Sequence, residues 1–166
     1  MRFSAILMSS LALTACTTFG NEGPPAAPLT NSDGVQIGTV RAWNAPMGVS
    51  VEVLAAGLSP GPHGVHVHAT GRCDRPFFTT AGGHWNPTNR KHGHANPAGS
   101  HVGDGGNLIV GPDRRGRALL MLAGANLAAL RDRDGAALLV HAKADDERTD
   151  PSGNSGERIA CAIIAR

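Results

Sequence analysis

The chain has 166 residues, a length that suits one domain with a short extension. Tyrosine is absent and only two tryptophans and four phenylalanines occur, while 22 glycines and 11 prolines punctuate the sequence, a composition of short strands and turns rather than long helices. A formal net charge of +2 gives no support to a polybasic nucleic-acid surface or a self-repelling anionic chain.

Residues 1–15 read as an export signal: Arg2 is a basic start, Phe3 to Leu13 is mostly apolar and too short to span a bilayer, and small residues follow. Leu13-Thr14-Ala15-Cys16 resembles the lipobox of bacterial lipoproteins, in which the cysteine becomes the first mature residue and carries lipid. An ordinary signal peptide that happens to contain a cysteine is the alternative. Residues 16–27, with Gly23, Pro24 and Pro25, have the composition of an extended tether. The domain is expected at residues 28–166. With Cys16 acylated, Cys73 and Cys161 remain, and an oxidising compartment would let them bridge; two buried reduced thiols are the other possibility.

Gly34 to Trp43 alternates for part of its length, and Gly48 to Leu54 does so cleanly, with Val49, Val51 and Val53 on one face. Two antiparallel strands joined at Asn44-Ala45-Pro46-Met47 are expected. In Gly64 to His68 the period of two puts His66 and His68 on one face and Val65 and Val67 on the other. A strand built this way offers two metal ligands side by side. His63 has the parity of the valines and reads as a buried, hydrogen-bonded histidine.

Seven of the eight histidines lie between Gly61 and Asp104. From Ala69 to Gly106 no periodicity survives, yet His84, His92 and His101 are spaced along this stretch before Asp104. So long an irregular segment in a compact domain is usually functional, and these residue types point to ordering by metal. Strands resume at Asn107 to Val110 and Ala118 to Leu122, with Asp113 to Gly116 as a charged turn; Arg114, Arg115 and Arg117 read as a solvated hairpin tip. Leu127 to Asp134 is a short helical or irregular connection. An apolar strand, Ala136 to His141, carries the eighth histidine, a second polar loop covers Asp145 to Gly156, and Arg158 to Ile164 closes the domain. With no repeat and no long helix, the fold class is all-β: a Greek-key sandwich or barrel of about eight antiparallel strands with two long functional loops.

Gly64-Val65-His66-Val67-His68, Ala81-Gly82-Gly83-His84-Trp85-Asn86-Pro87, Arg90-Lys91-His92-Gly93, His101-Val102-Gly103-Asp104, Val140-His141-Ala142-Lys143-Ala144-Asp145-Asp146 and Gly153 to Cys161 together resemble the copper/zinc superoxide dismutase family, in family order across nearly the whole domain. The resemblance implies copper on His66, His68, His84 and His141, and zinc on His84, His92, His101 and Asp104, with His84 bridging. Four imidazoles suit a redox copper, and three with one carboxylate suit zinc. Asp145 matches the aspartate that accepts hydrogen bonds from His66 and His92. Arg158 matches the arginine that draws superoxide toward copper, and His84 would also deliver a proton. His63 and His94 fall outside both ligand sets.

The implied activity is dismutation of superoxide to dioxygen and hydrogen peroxide. A non-catalytic copper- and zinc-binding module on the same fold is the alternative. The expected setting is the bacterial periplasm or cell envelope, as a monomer or homodimer held to the membrane only through Cys16. The insert Arg75-Pro76-Phe77-Phe78 between Cys73 and His84 resembles the bacterial arrangement, and the second loop has no lysine for steering.

Overall fold

Eight strands form within residues 25–165, the residues that the computed structural model describes. They are β1 (Ala27–Asn31), β2 (Gln36–Ala45), β3 (Gly48–Ala56), β4 (Gly61–His68), β5 (Asp104–Val110), β6 (Arg115–Ala123), β7 (Ala136–His141) and β8 (Arg158–Ala165). A single 3-10 turn at Thr79–Ala81 and the short helix α1 (Leu127–Leu130) are the other elements among the described residues. The strands close into an antiparallel barrel in the order β1-β2-β3-β6-β5-β4-β7-β8. That order is a Greek key, because β3 pairs with β6 and β4 with β7 while β4, β5 and β6 follow one another.

Alternation decides which side chains fill the barrel. Val49, Val51, Val53, Val65, Val67, Leu108, Leu122, Leu138 and Val140 are all fully buried in one cluster. Each large apolar side chain removed from water contributes about 1.5–3 kcal/mol before the entropy of ordering it. The opposite parity of β7, Ala137 and Leu139, faces outward but is no less buried, since Phe78, Ala81 and Cys161 cover it in a second cluster. This strand is therefore apolar on both faces, which explains why its sequence runs without alternation.

The bridge between Cys73 and Cys161 is formed, with Cα atoms 5.7 Å apart, and it ties the long loop after β4 to β8. Closing so long a segment constrains the unfolded chain by about 4–5 kcal/mol in the chain-entropy model.

The structure departs from the sequence expectation at β1 and at the turn before β6. The first strand, β1, was not anticipated; Pro28 breaks its pattern, but Leu29 is buried in the barrel and Ala27 pairs with Val40, so the tether expected at residues 16–27 overlaps the sheet at Ala27. The turn between β5 and β6 is tighter than expected, with Arg114 donating to the Gly111 carbonyl and Gly111 to that of Arg115. Arg115 and Arg117 thus stand on strand β6 and not at a hairpin tip, while Arg114 folds back on the carbonyls of Gly57 and Leu58. The expected signal segment at residues 1–15, Cys16, and tether residues through 24 lie outside the described residues.

Candidate metal centre

Parity places His66 and His68 on the outer face of β4, and β7 pairs beside it with Leu139 opposite His66 and Ala137 opposite His68. His141 ends β7 with the parity of Leu139, so it arrives on the same face. The loop after β4 then returns through an isolated bridge between His68 and His84. Four histidines from two strands and a loop converge: His66, His68, His84 and His141 each offer a ring nitrogen, all within 4.8 Å of one another.

The remaining hydrogen bonds of these rings settle which nitrogen is free. A carbonyl oxygen only accepts, so His68 Nδ1, at 2.9 Å from the Gly82 oxygen, and His141 Nδ1, at 3.1 Å from the Gly156 oxygen, must carry hydrogens. His66 donates from Nε2 to Asp145 at 2.7 Å. Each ring therefore aims its other nitrogen, as a lone pair, at the common point. Those atoms, His66 Nδ1, His68 Nε2 and His141 Nε2, together with His84 Nε2, are the buried side-chain polar atoms without a partner among the described residues. Four orphaned acceptors in one buried place cost too much to persist unless something binds them. They fit a transition-metal cation held by imidazoles.

A second group lies on the other side of the same His84 ring. His84, His92, His101 and Asp104 have ligand atoms within 4.8 Å of one another. The Nδ1 atoms of His84, His92 and His101 stand 2.8, 3.0 and 3.0 Å from a single oxygen, Asp104 Oδ1. The other oxygen, Oδ2, accepts from the backbone N–H of Gly93 and of His101, which locks the carboxylate in place. Three imidazoles around one carboxylate oxygen make a donor set for zinc. His84 belongs to both groups, one nitrogen toward each.

Asp145 joins the groups from behind, its Oδ2 accepting from His66 and its Oδ1 from His92 at 3.0 Å. Asn107 fixes the Asp145 backbone through a pair of bonds, donating to its carbonyl and accepting from its N–H. Gly153 is required here: a Cβ would stand 1.7 Å from Asp145 Oδ1, and its φ of +63° also favours glycine.

Burial, reinforced by the neighbouring imidazoles, pushes His84 down to about 4 and His141 down to about 3, and holds His68 well below the ordinary value. These rings stay neutral and ready to ligate. Burial also opposes charge on His92, but its bonds to Asp104 and Asp145 outweigh that and raise it to about 9. Both carboxylates sit far below the usual range, since the histidine hydrogen bonds overcome the effect of burial.

Arg158 opens β8 directly opposite His141, where a register shift between Val140 and His141 turns it toward the centre. It donates from Nη1 to the Phe78 carbonyl at 2.8 Å and from Nη2 to the Gly82 carbonyl at 2.7 Å. His63 lies inside the barrel between the carbonyls of His141 and Ser59, and His94 is exposed beside Glu147, so both are apart from the two groups. The parts that sequence reasoning missed are these carbonyls, and Asp150, which accepts from the His92 N–H and from Lys91 and so stitches the second loop to the first. A backbone oxygen leaves no signature in a sequence, and Asp150 reads as one more solvated loop carboxylate.

Comparison with known proteins gives the family of the chain. The family model described as copper/zinc superoxide dismutase (SODC) matches residues 36–164. A protein named superoxide dismutase [Cu-Zn] 2 of Aquifex aeolicus is 34% identical over 169 residues, covering 98% of each chain. The superoxide dismutase-like protein YojM of Bacillus subtilis is 39% identical over 144 residues, which is 82% of this chain and 73% of that one. Among solved structures, the Cu/Zn superoxide dismutase from Brucella abortus superposes with a TM-score of 0.70 at 29% identity, covering 84% of this chain and 98% of that one. The chain belongs to the copper/zinc superoxide dismutase family.

Proposed function

We propose that this protein dismutes superoxide to dioxygen and hydrogen peroxide, with copper held by His66, His68, His84 and His141 and zinc by His84, His92, His101 and Asp104. One observation carries the reading: four buried ring nitrogens without partners point at one place, and the ring that completes this set also faces the Asp104 group. When bound there, copper would supply a one-electron redox couple and zinc a fixed positive charge.

The side chains do the rest. The Arg158 guanidinium, fixed by two carbonyls, presents a positive charge beside His141 and attracts a small anion. Nε2 of His84, the nitrogen aimed at the four-histidine group, would take up and hand over a proton only while its lone pair is free of a metal. Asp145 keeps His66 and His92 in the tautomers that leave their ligating nitrogens free. Purified protein is expected to contain one copper and one zinc per chain and to consume superoxide. His84→Ala is expected to lower turnover below about one-hundredth and to disturb both metals; normal turnover in that variant would remove the bridging role. Full metal loading without superoxide consumption would leave a metal-binding module.

We further propose that the protein resides in the bacterial periplasm or cell envelope, held by lipid on Cys16. Support comes from Arg2, the apolar run to Leu13 and the small residues before Cys16. Cys16→Ser is expected to leave the exported protein extractable without detergent, and continued detergent dependence would refute the acyl anchor.

A further inference from the structure

The wall of the barrel built from β2, β3 and β6 carries an outer face that the metal centre does not use. Its register stacks Trp43, Ser50 and Met121 in one row, then Arg41, Glu52 and Leu119, then Thr39, Leu54 and Arg117, with Arg115 beyond. Leu119 is 62% exposed, Met121 41% and Leu54 39%, which is unusual for outward positions of a sheet whose inner face already fills the core. Met47, 73% exposed, extends the apolar end of this face from the turn between β2 and β3.

The charges beside these side chains are mostly positive. Arg41, Arg115 and Arg117 stand against Glu52 alone, which pairs with Arg117 at 2.7 Å and lies 4.0 Å from Arg41. A face that is apolar and net positive repels a second copy of itself and suits a surface that is apolar within and anionic at its rim. We propose that this wall rests on an anionic lipid bilayer, a contact additional to the N-terminal acyl anchor. Leu119, Met121 and Met47 enter the headgroup region, the Trp43 indole sits at the boundary, and the arginines reach lipid phosphates.

Two further features fit this orientation. Pro25 and Ala27 line a small cavity with Trp43 and Leu127, so the start of β1 stands beside the Trp43 row. In the closed strand order, β3 and β6 stand across the ring from β7 and β8. A membrane on this wall leaves His141 and Arg158 facing the aqueous side, open to a soluble anion.

Tryptophan quenching tests the contact, because the chain has only Trp43 and Trp85. The exported protein, in a Trp85→Phe background, is mixed with vesicles of phosphatidylethanolamine and phosphatidylglycerol carrying brominated acyl chains, and with brominated phosphatidylcholine vesicles. Quenching of Trp43 is expected to be about twofold or more stronger in the anionic vesicles, and to fall to the neutral level at high salt and in Arg115→Gln/Arg117→Gln. The difference in quenching between wild type and Trp43→Phe gives the same readout with Trp85 retained. Superoxide turnover is expected to be unchanged in the double arginine variant. Equal quenching in both vesicle types, or quenching indifferent to the arginine changes, overturns the proposal. So does a concentration-dependent dimer in which Trp43 is shielded without lipid, since a second copy would then cover the face.

Discussion

Arg158 and His68 share one acceptor: the Gly82 carbonyl oxygen receives the Arg158 guanidinium at 2.7 Å and His68 Nδ1 at 2.9 Å. The residue proposed to draw the anion and a ring proposed to hold copper are thereby set by the same backbone atom, two positions before His84. Arg158→Ala is expected to lower superoxide turnover about 10- to 100-fold, the effect of removing one charged hydrogen-bonding group of ~1.5–3 kcal/mol. Metal content, measured on the same sample, should persist because His68 keeps its own bond to Gly82. Copper loss would instead make Arg158 a positioning residue acting through that carbonyl.

Asp145 accepts from two different rings, His66 and His92, one on each oxygen. Asparagine keeps the shape but offers a donor on one side, so one ring must change tautomer and turn its hydrogen toward the metal. Asp145→Asn is expected to weaken copper or zinc binding about 10- to 100-fold. Competition with a chelator, with folding checked by circular dichroism, measures the change; affinities equal to wild type for both metals would show that Asp145 does not govern the tautomers.

Zinc uptake by the metal-free protein should release a proton from His92. Its value of about 9 in the metal-free state means that near neutral pH the ring is protonated and donates to both Asp104 and Asp145. Ligation at Nδ1 requires that proton to leave, so the logarithm of zinc affinity is expected to rise by about one for each pH unit up to about 9. Calorimetry in buffers of different ionisation enthalpy counts the protons, and no release at neutral pH would contradict the arrangement.

Acid should destabilise the metal-free protein through His84 and His141. Their folded values, about 4 and about 3, lie below the ordinary histidine value, so the unfolded chain takes up protons first as pH falls. Their contribution is complete above the unfolded value and is lost as pH drops from about 6.5 toward the folded values, by ~1.4 kcal/mol per group and pH unit. His92 runs the other way: its raised value stabilises below the unfolded value and loses that contribution as pH rises through about 9. Denaturant midpoints should therefore fall on the acid side in the wild type, with a smaller fall in His141→Gln; an unchanged slope in that variant would exclude His141 as a source.

What could be read from residues alone was set by side-chain identity and period. His66 and His68 share a face because a strand alternates, His63 does not join them because its parity is that of Val65 and Val67, and the family motifs supplied His84, His92, His101, Asp104, His141, Asp145 and Arg158 in order. Other features depended on how distant segments meet. The register shift that turns Arg158 toward His141, the carbonyls of Phe78, Gly82 and Gly156, the clasp of Asp150 on His92, and the stacking of Trp43, Leu119 and Met121 with Arg115 and Arg117 all depend on pairing between remote strands and loops. Backbone oxygens are the same at every residue, and register is a relation between two strands, so neither is written in a local stretch of sequence; both exist only once the barrel closes.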